Sequence, residues 1–197
     1  MTKIKMCGLT RKEDIETVNR LKPDFIGFVF ARKSKRYVTA DKAKELKGLL
    51  DPGIKAVGVF VNEDPETVAG LLKTDVIDMA QLHGNEDEEY IGMLRRLSGK
   101  PIIKAFQIKN VTALDEIENS SADWVLIDSG AGTGSTFDWK MIKDVKRPYF
   151  LAGGLTPDNA ARAVRELHPY ALDVSSGIET GGVKDPEKMK QFMEVRS

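Results

Sequence analysis

Eight short apolar segments recur along the chain at a nearly constant spacing, and this spacing constrains the fold more than any other feature. They begin near Lys3, Asp24, Ile54, Val76, Pro101, Asp123, Pro148 and Ala171. The 168 residues from the first to the last divide into seven intervals of 24. The segments are rich in Val, Ile and Phe, which is typical of parallel strands buried on both faces. The longer amphipathic stretches between them predict helices, and hence eight βα units.

Helix start signals occur in several of the intervening stretches. Thr10 and Glu13 have the spacing of a capping box, and Ile15, Val18 and Leu21 behind them would share one helix face. A capping residue precedes a first-turn proline in three further places, Asp64-Pro65, Thr156-Pro157 and Asp185-Pro186.

Two architectures accept this alternation, an open doubly wound sheet and a closed barrel. A dinucleotide-binding sheet needs G-x-G-x-x-G after its first strand, where this chain reads Cys7-Gly8-Leu9-Thr10. The count of eight and the even spacing favour the barrel, as do glycine-rich turns after the sixth and seventh segments. We therefore predict an α/β fold, a single (β/α)8 barrel domain over residues 1–197.

Composition narrows the classes of partner. The chain is 41% hydrophobic and 30% charged, with 30 basic and 30 acidic residues. Zero net charge provides no overall field for nucleic acid or an anionic membrane. No apolar run approaches the roughly 18 residues of a membrane span, and no apolar leader follows the first residues. One cysteine excludes an internal disulfide framework. We expect a cytoplasmic protein that binds neither nucleic acid nor membrane.

The active site of a (β/α)8 barrel is built at the carboxyl ends of its strands, and Cys7 ends the first predicted strand. Strand alternation places Lys5 and Cys7 inside the barrel and Ile4 and Met6 against the helices. The ammonium of Lys5 would then favour the thiolate of Cys7, as a base or nucleophile. Two alternatives remain open, Cys7 as a small core residue and Lys5 as a purely structural one.

Asp128 ends the sixth predicted strand, before a glycine-rich turn. It is either a turn aspartate or an acid–base residue whose partial burial raises its pKa. The first and sixth strands of a closed ring are three steps apart. Asp128 and Cys7 could therefore face each other across a substrate.

Turns after the last strands predict a phosphorylated ligand. Gly153-Gly154 precedes a helix start, and Ser175-Ser176-Gly177 follows the eighth strand. Barrels commonly place phosphate at these two strand ends, where backbone amides and a helix amino terminus attract anions. Residues 130–135 (GAGTGS) also resemble a phosphate cradle, although such a run can be only a lid.

Residues 32–36 (RKSKR) are either a solvated basic loop or a loop that supplies one arginine to bind the carboxylate of a ligand. Two histidines are present, and His168 lies away from any strand end. His83 and Cys7 could suggest zinc, but no third ligand is evident. We therefore predict no metal site.

Seven motifs occur in order, at the expected strand ends: residues 5–10 (KMCGLT), 33–37 (KSKRY), 58–62 (GVFVN), 81–84 (QLHG), 132–139 (GTGSTFDW), 153–155 (GGL) and 173–179 (DVSSGIE). In combination they resemble the phosphoribosylanthranilate isomerase family of tryptophan biosynthesis, and the match runs from the first strand to the eighth. The cysteine after the first strand is the most specific element. One position departs from the family, which usually has a basic residue where this chain has Ser135.

The resemblance implies an Amadori rearrangement of an aldose to a ketose, without metal or cofactor. It implies that Cys7 is the general base for the C2′ proton and that Asp128 is the general acid at the ring oxygen. Arg36 would hold the anthranilate carboxylate, and His83 would be a substrate-binding residue. The phosphate would bind the turns of the seventh and eighth strands, through Gly153, Gly154, Ser175, Ser176 and Gly177.

Two rival functions stay open. The isomerase of histidine biosynthesis catalyses the same rearrangement on the same fold, but it has a pair of aspartates where this chain has Cys7 and Asp128. The other rival is a noncatalytic barrel that binds phosphorylated metabolites. Nothing in the sequence decides between a monomer and a homodimer, and we favour the monomer.

Overall fold

Eight parallel strands form a closed barrel in the computed structural model, which describes residues 1–107, 112–128 and 139–196. The strands are β1 (Lys3–Cys7), β2 (Phe25–Val29), β3 (Lys55–Phe60), β4 (Met79–Leu82), β5 (Ile102–Gln107), β6 (Trp124–Asp128), β7 (Tyr149–Ala152) and β8 (Ala171–Val174). Each pairs with the next along the chain, and β8 closes the ring on β1 with Lys5 opposite Asp173. The predicted fold class is confirmed.

One strand begins later than its apolar pattern predicts. The amides of Val76 and Ile77 both donate to the carbonyl of Leu71, so they complete the preceding helix end and not the sheet. Strand β4 therefore starts at Met79, three residues after the predicted position.

Helices alternate with the strands, as the sequence predicts. They are α1 (Lys12–Leu21), α2 (Ala40–Gly48), α3 (Pro65–Lys73), α4 (Glu88–Ser98), α5 (Thr112–Asn119), α6 (Pro157–Leu167) and α7 (Pro186–Met193). In the described part of the β6–β7 connection, the helical segment is a 3-10 turn, Trp139–Ile142. After β8 come a second 3-10 turn, Ser176–Ile178, and a hairpin of β9 (Glu179–Thr180) and β10 (Val183–Lys184). No helix in the described ranges is long and apolar enough to cross a membrane.

The predicted capping box of α1 is displaced by one residue. The capping residue is Arg11 and not Thr10, and the acidic partner is Asp14 and not Glu13. The buried carboxylate of Asp14 accepts the amides of Thr10 and Arg11, each at 3.0 Å. The other three predicted caps are confirmed, with proline in the first turn of α3, α6 and α7.

Inward and outward positions of β1 follow the predicted alternation. Ile4 and Met6 are buried in the apolar layer between barrel and helices. A separate apolar cluster fills the barrel interior and includes Phe25 and Phe150, whose ring centroids lie 5.3 Å apart. The inward-facing Lys5 belongs to neither cluster, because its ammonium binds Asp173. The interior thus combines apolar packing with buried polar groups near the carboxyl ends.

We expect two glycine-to-alanine substitutions to change stability in opposite directions. Gly70 is exposed within α3, and an added Cβ meets nothing within 4 Å. Gly70→Ala should therefore raise the free energy of unfolding by about 0.5–1 kcal/mol through backbone entropy. At Gly58 in β3, a Cβ would lie 2.6 Å from Cδ1 of Ile77. Gly58→Ala should cost about 1–3 kcal/mol by overpacking.

Equilibrium denaturation in urea measures both changes. A Gly58→Ala variant as stable as the parent would contradict this description of the packing between β3 and its neighbours.

Candidate active site

A cavity of about 250 Å³ opens at the carboxyl ends of the strands and brings most of the predicted site residues together. Its lining includes the predicted residues Cys7, His83, Asp128, Gly153, Gly154, Ser175 and Ser176. It also includes Gln81 and Asp173, which the sequence analysis did not select. Two predicted residues, Arg36 and Gly177, lie outside the lining.

A larger cavity of about 840 Å³ lies beside it, over the ends of β4 and β5. The two cavities share His83. Most charged groups lining the larger one are acidic, among them Glu86, Asp87 and Glu116. Neither Cys7 nor Asp128 lines it, so we place the chemistry in the smaller cavity.

Lys5 and Asp173 form an ion pair inside the barrel. Their Nζ and Oδ2 atoms are 2.7 Å apart, and the side chain of Lys5 is 0% exposed. Desolvation opposes the charge of Lys5, but Asp173 and Cys7 favour it, and the net effect raises the pKa of Lys5. The buried partner that a structural role of Lys5 requires is therefore present.

The thiol of Cys7 does not have the low pKa that the sequence analysis expected. Burial favours the neutral thiol and is the largest effect, followed by the lowering effect of Lys5 and the raising effect of Asp173. The net result raises the pKa of Cys7 above its ordinary value. Lys5 does favour the thiolate, as the sequence analysis predicts, but burial of the thiol, together with the charge of Asp173, outweighs that effect.

His83 contacts Asp128, at the end of β6. Its Nε2 lies 3.3 Å from Oδ2 of Asp128, and both side chains are about one-quarter exposed, 27% and 23%. Nδ1 of His83 lies 2.9 Å from Nε2 of Gln81, which is buried in β4. The structure thus places His83 against the predicted acid, where the sequence analysis predicted a residue that binds substrate.

Two side chains that line the cavity each carry a buried acceptor without a described partner. Oε1 of Gln81 and Oδ1 of Asp173 have no hydrogen-bond donor among the residues described. An unpaired buried acceptor costs about 1–3 kcal/mol, so hydroxyl groups of a ligand are natural partners. The signal that could have found both residues is a polar side chain at an inward position of an otherwise apolar strand.

Arg36 is held by a carboxylate of this chain. Its Nε and Nη2 donate to the two oxygens of Glu179 at 2.6 and 2.8 Å. The arginine stem packs on Gly8, where an added Cβ would lie 2.3 Å from Cδ of Arg36. Glu179 also accepts from the buried ammonium of Lys184 at 2.6 Å. The pair with Glu179 uses two of the five guanidinium N–H donors, which leaves three.

The turns after β7 and β8 lie against each other. Gly153 and Gly154 both have positive φ, 93° and 62°. A Cβ on Gly177 would lie 1.8 Å from the carbonyl oxygen of Leu155, so only glycine permits this approach. The predicted residues of the two turns are therefore adjacent, and Gly177 joins them by packing. The predicted cradle at residues 130–135, including Ser135, lies outside the described residues.

Comparison with known proteins gives the family. The model of the family described as N-(5′-phosphoribosyl)anthranilate (PRA) isomerase matches residues 4–195. The chain belongs to this family. The isomerase of Endomicrobium trichonymphae is 45% identical over 202 residues, covering 99% of this chain and 98% of the relative.

Solved structures of phosphoribosylanthranilate isomerases are similar along the whole chain. One, in complex with reduced 1-(o-carboxyphenylamino)-1-deoxyribulose 5-phosphate, has a TM-score of 0.88 and 35% identity, covering 98% of this chain and 97% of that one. Another contains monomers generated from the dimeric isomerase of Thermotoga maritima, with a TM-score of 0.87 and 33% identity, covering 99% and 98%. Monomeric and dimeric forms thus both occur among the family's structures.

The raised pKa of Cys7 leads to a prediction about its reactivity. Cys7 is the only cysteine, so iodoacetamide reports on this thiol alone. Because the thiolate is the reactive form, the pH at half-maximal alkylation rate should be higher for the folded protein than for the urea-unfolded chain.

Asp173→Asn removes a negative charge that raises the pKa of Cys7, so it should lower this pH midpoint. A pH midpoint in the folded protein at or below that of the unfolded chain would contradict the raised pKa of Cys7.

Proposed function

We propose that this chain converts N-(5′-phosphoribosyl)anthranilate to 1-(2-carboxyphenylamino)-1-deoxyribulose 5-phosphate, in L-tryptophan biosynthesis. The observation that carries the proposal is that Cys7 and Asp128, from strands three steps apart around the ring, line one small cavity. One thiol and one carboxyl group are what an acid–base rearrangement needs. Family membership supports the same substrate and product.

The proposed reaction is a series of proton transfers that begins with Asp128 and Cys7. Asp128 donates its proton to the ring oxygen of the ribosyl group as the bond from C1′ to that oxygen breaks and the nitrogen lone pair forms an iminium ion. The iminium acidifies C2′, and the thiolate of Cys7 removes that proton. The resulting enolamine becomes the ketone when C1′ gains a proton and the hydroxyl group on C2′ loses one. Atoms and electrons balance without any cofactor.

The environment of Cys7 suits a base more than a nucleophile. Burial raises the pKa of the thiol, which makes the thiolate scarce at neutral pH but a stronger base once it forms. Lys5 lies below it and favours the charged form, which limits the effect of burial. On this proposal, the iminium intermediate provides the remaining driving force for removing the C2′ proton.

The phosphate would bind between the turns after β7 and β8. Helix α6 begins at Pro157, directly after the first turn, and the amino terminus of an 11-residue helix attracts an anion. Gly153 and Gly154 present backbone without side chains, and Ser175 and Ser176 line the same cavity with hydroxyl groups.

Arg36 would bind the anthranilate carboxylate through the N–H donors that Glu179 does not use. Glu179 holds Nε and Nη2, so the guanidinium is oriented before substrate arrives. A preorganised fork loses less conformational entropy on binding than a free side chain does.

Domain organisation, location, oligomeric state and ligand class form part of the same proposal. We propose one domain of residues 1–197 that acts in the cytoplasm as a monomer, on a small phosphorylated substrate.

Removing either proposed proton-transfer group should reduce turnover without unfolding the barrel. We expect Cys7→Ala and Asp128→Asn each to lower kcat by about 10²–10⁴, the usual effect of losing a positioned acid or base. A steady-state isomerase assay with phosphoribosylanthranilate measures this, and circular dichroism checks folding. Near-parental turnover in either folded variant would overturn that residue's role, and no turnover by the parent protein would overturn the proposed function.

Substitution of Arg36 tests the carboxylate clamp. Arg36→Ala should cost about 1.5–3 kcal/mol of substrate binding, the range for a hydrogen bond to a charged group. Arg36→Lys should not restore it fully, because lysine lacks the planar two-pronged donor. Arg32→Ala is the control, since Arg32 is exposed in the same basic run. Equal KM increases of less than about twofold for both alanine variants would contradict the clamp.

A further inference from the structure

Gln81 links the barrel interior to the proposed acid through His83. It occupies an inward position of β4 and is 1% exposed. Its Nε2 lies 2.9 Å from Nδ1 of His83, and Nε2 of His83 lies 3.3 Å from Oδ2 of Asp128. The three side chains form a row of close polar contacts that ends at the carboxyl group.

The chemistry of the groups decides which atom donates and which accepts along this row. An amide nitrogen only donates hydrogen bonds, so Nδ1 of His83 must be the acceptor from Gln81. A neutral imidazole has one N–H, which then lies on Nε2, the ring nitrogen 3.3 Å from Oδ2 of Asp128. The row therefore runs from Gln81 to His83 to Asp128.

The opposite orientation of the amide is less favourable. Turning the Gln81 amide over would place Oε1 at an Nδ1–H and leave both of its N–H donors in the position where Oε1 now has no described partner. Unpaired buried N–H groups are rarer in proteins than under-satisfied carbonyl oxygens.

We propose that Gln81 is a positioning residue that selects the Nε2-protonated tautomer of His83 and so places an N–H donor beside the carboxyl group of Asp128. Its catalytic consequence rests on the proposed function, in which Asp128 is the acid. A neutral donor stabilises an ionised carboxylate far less than an imidazolium cation does, so the tautomer of His83 bears on how readily Asp128 can donate its proton.

Nitrogen NMR of the folded protein tests the tautomer without any activity measurement. With ¹⁵N-labelled histidine, only His83 and His168 give ring signals. His168→Asn removes the second set, and asparagine suits the left-handed backbone there, where φ is 47°. We expect neutral His83 to show a protonated Nε2 and an unprotonated Nδ1. A protonated Nδ1 in the parent protein would overturn the inference.

Two substitutions of Gln81 connect the tautomer to turnover. Gln81→Met keeps the length of the side chain but removes the donor, so the Nε2–H preference should weaken. Gln81→Glu offers an acceptor, so Nδ1 should become protonated. We expect kcat to fall about tenfold or more in the glutamate variant, with a smaller change in KM, because the donor to Asp128 is lost or becomes cationic.

The outcomes separate this inference from the proposed function. An unchanged tautomer in Gln81→Met, or a protonated Nδ1 in Gln81→Glu with parental kcat, would overturn the role of Gln81. The expected NMR signals in a protein that does not isomerise phosphoribosylanthranilate would support the tautomer and overturn the proposed function instead. Circular dichroism and the alkylation rate of Cys7 show whether each variant keeps the barrel intact.

Discussion

The buried ion pair of Lys5 and Asp173 is the interaction on which the site depends. It joins β1 to β8, the two strands that close the barrel, and it lies in the interior beside Cys7. Removing one partner would leave a buried charge uncompensated, which commonly costs several kcal/mol, about 3–5. The same pair acts on the thiol in opposite directions: after burial, which raises the pKa of Cys7 most, Lys5 lowers that pKa and Asp173 raises it.

Other buried ion pairs hold the loops at the same end of the barrel. Lys104 binds a carboxylate oxygen of Glu86 at 3.0 Å and the carbonyl oxygen of Gly84 at 2.7 Å, while Glu86 accepts the amide of Gly84. Lys184 and Glu179 form the corresponding pair in the hairpin after β8. Buried polar groups are therefore concentrated around the cavity, where their hydrogen bonds hold the surrounding turns in place.

Strands and their inward faces could be predicted because they depend on local patterns. The 24-residue spacing predicted all eight strands, and alternation in β1 predicted that Lys5 would point inward and Ile4 outward. Capping of α1 was displaced by one residue, since Glu13 and Asp14 are adjacent carboxylates and spacing alone cannot select between them. The packing that buries Asp14 made the selection.

By itself, the sequence determined the barrel, the strand ends and hence Cys7 and Asp128 as candidates, because periodicity and alternation are properties of neighbouring residues. Only the tertiary structure decided what each side chain meets. Arg36 binds Glu179 across 143 residues, and Lys5 binds Asp173 across 168. Charge and proton affinity depend on desolvation and on such distant partners, and these exist only once the ring has closed.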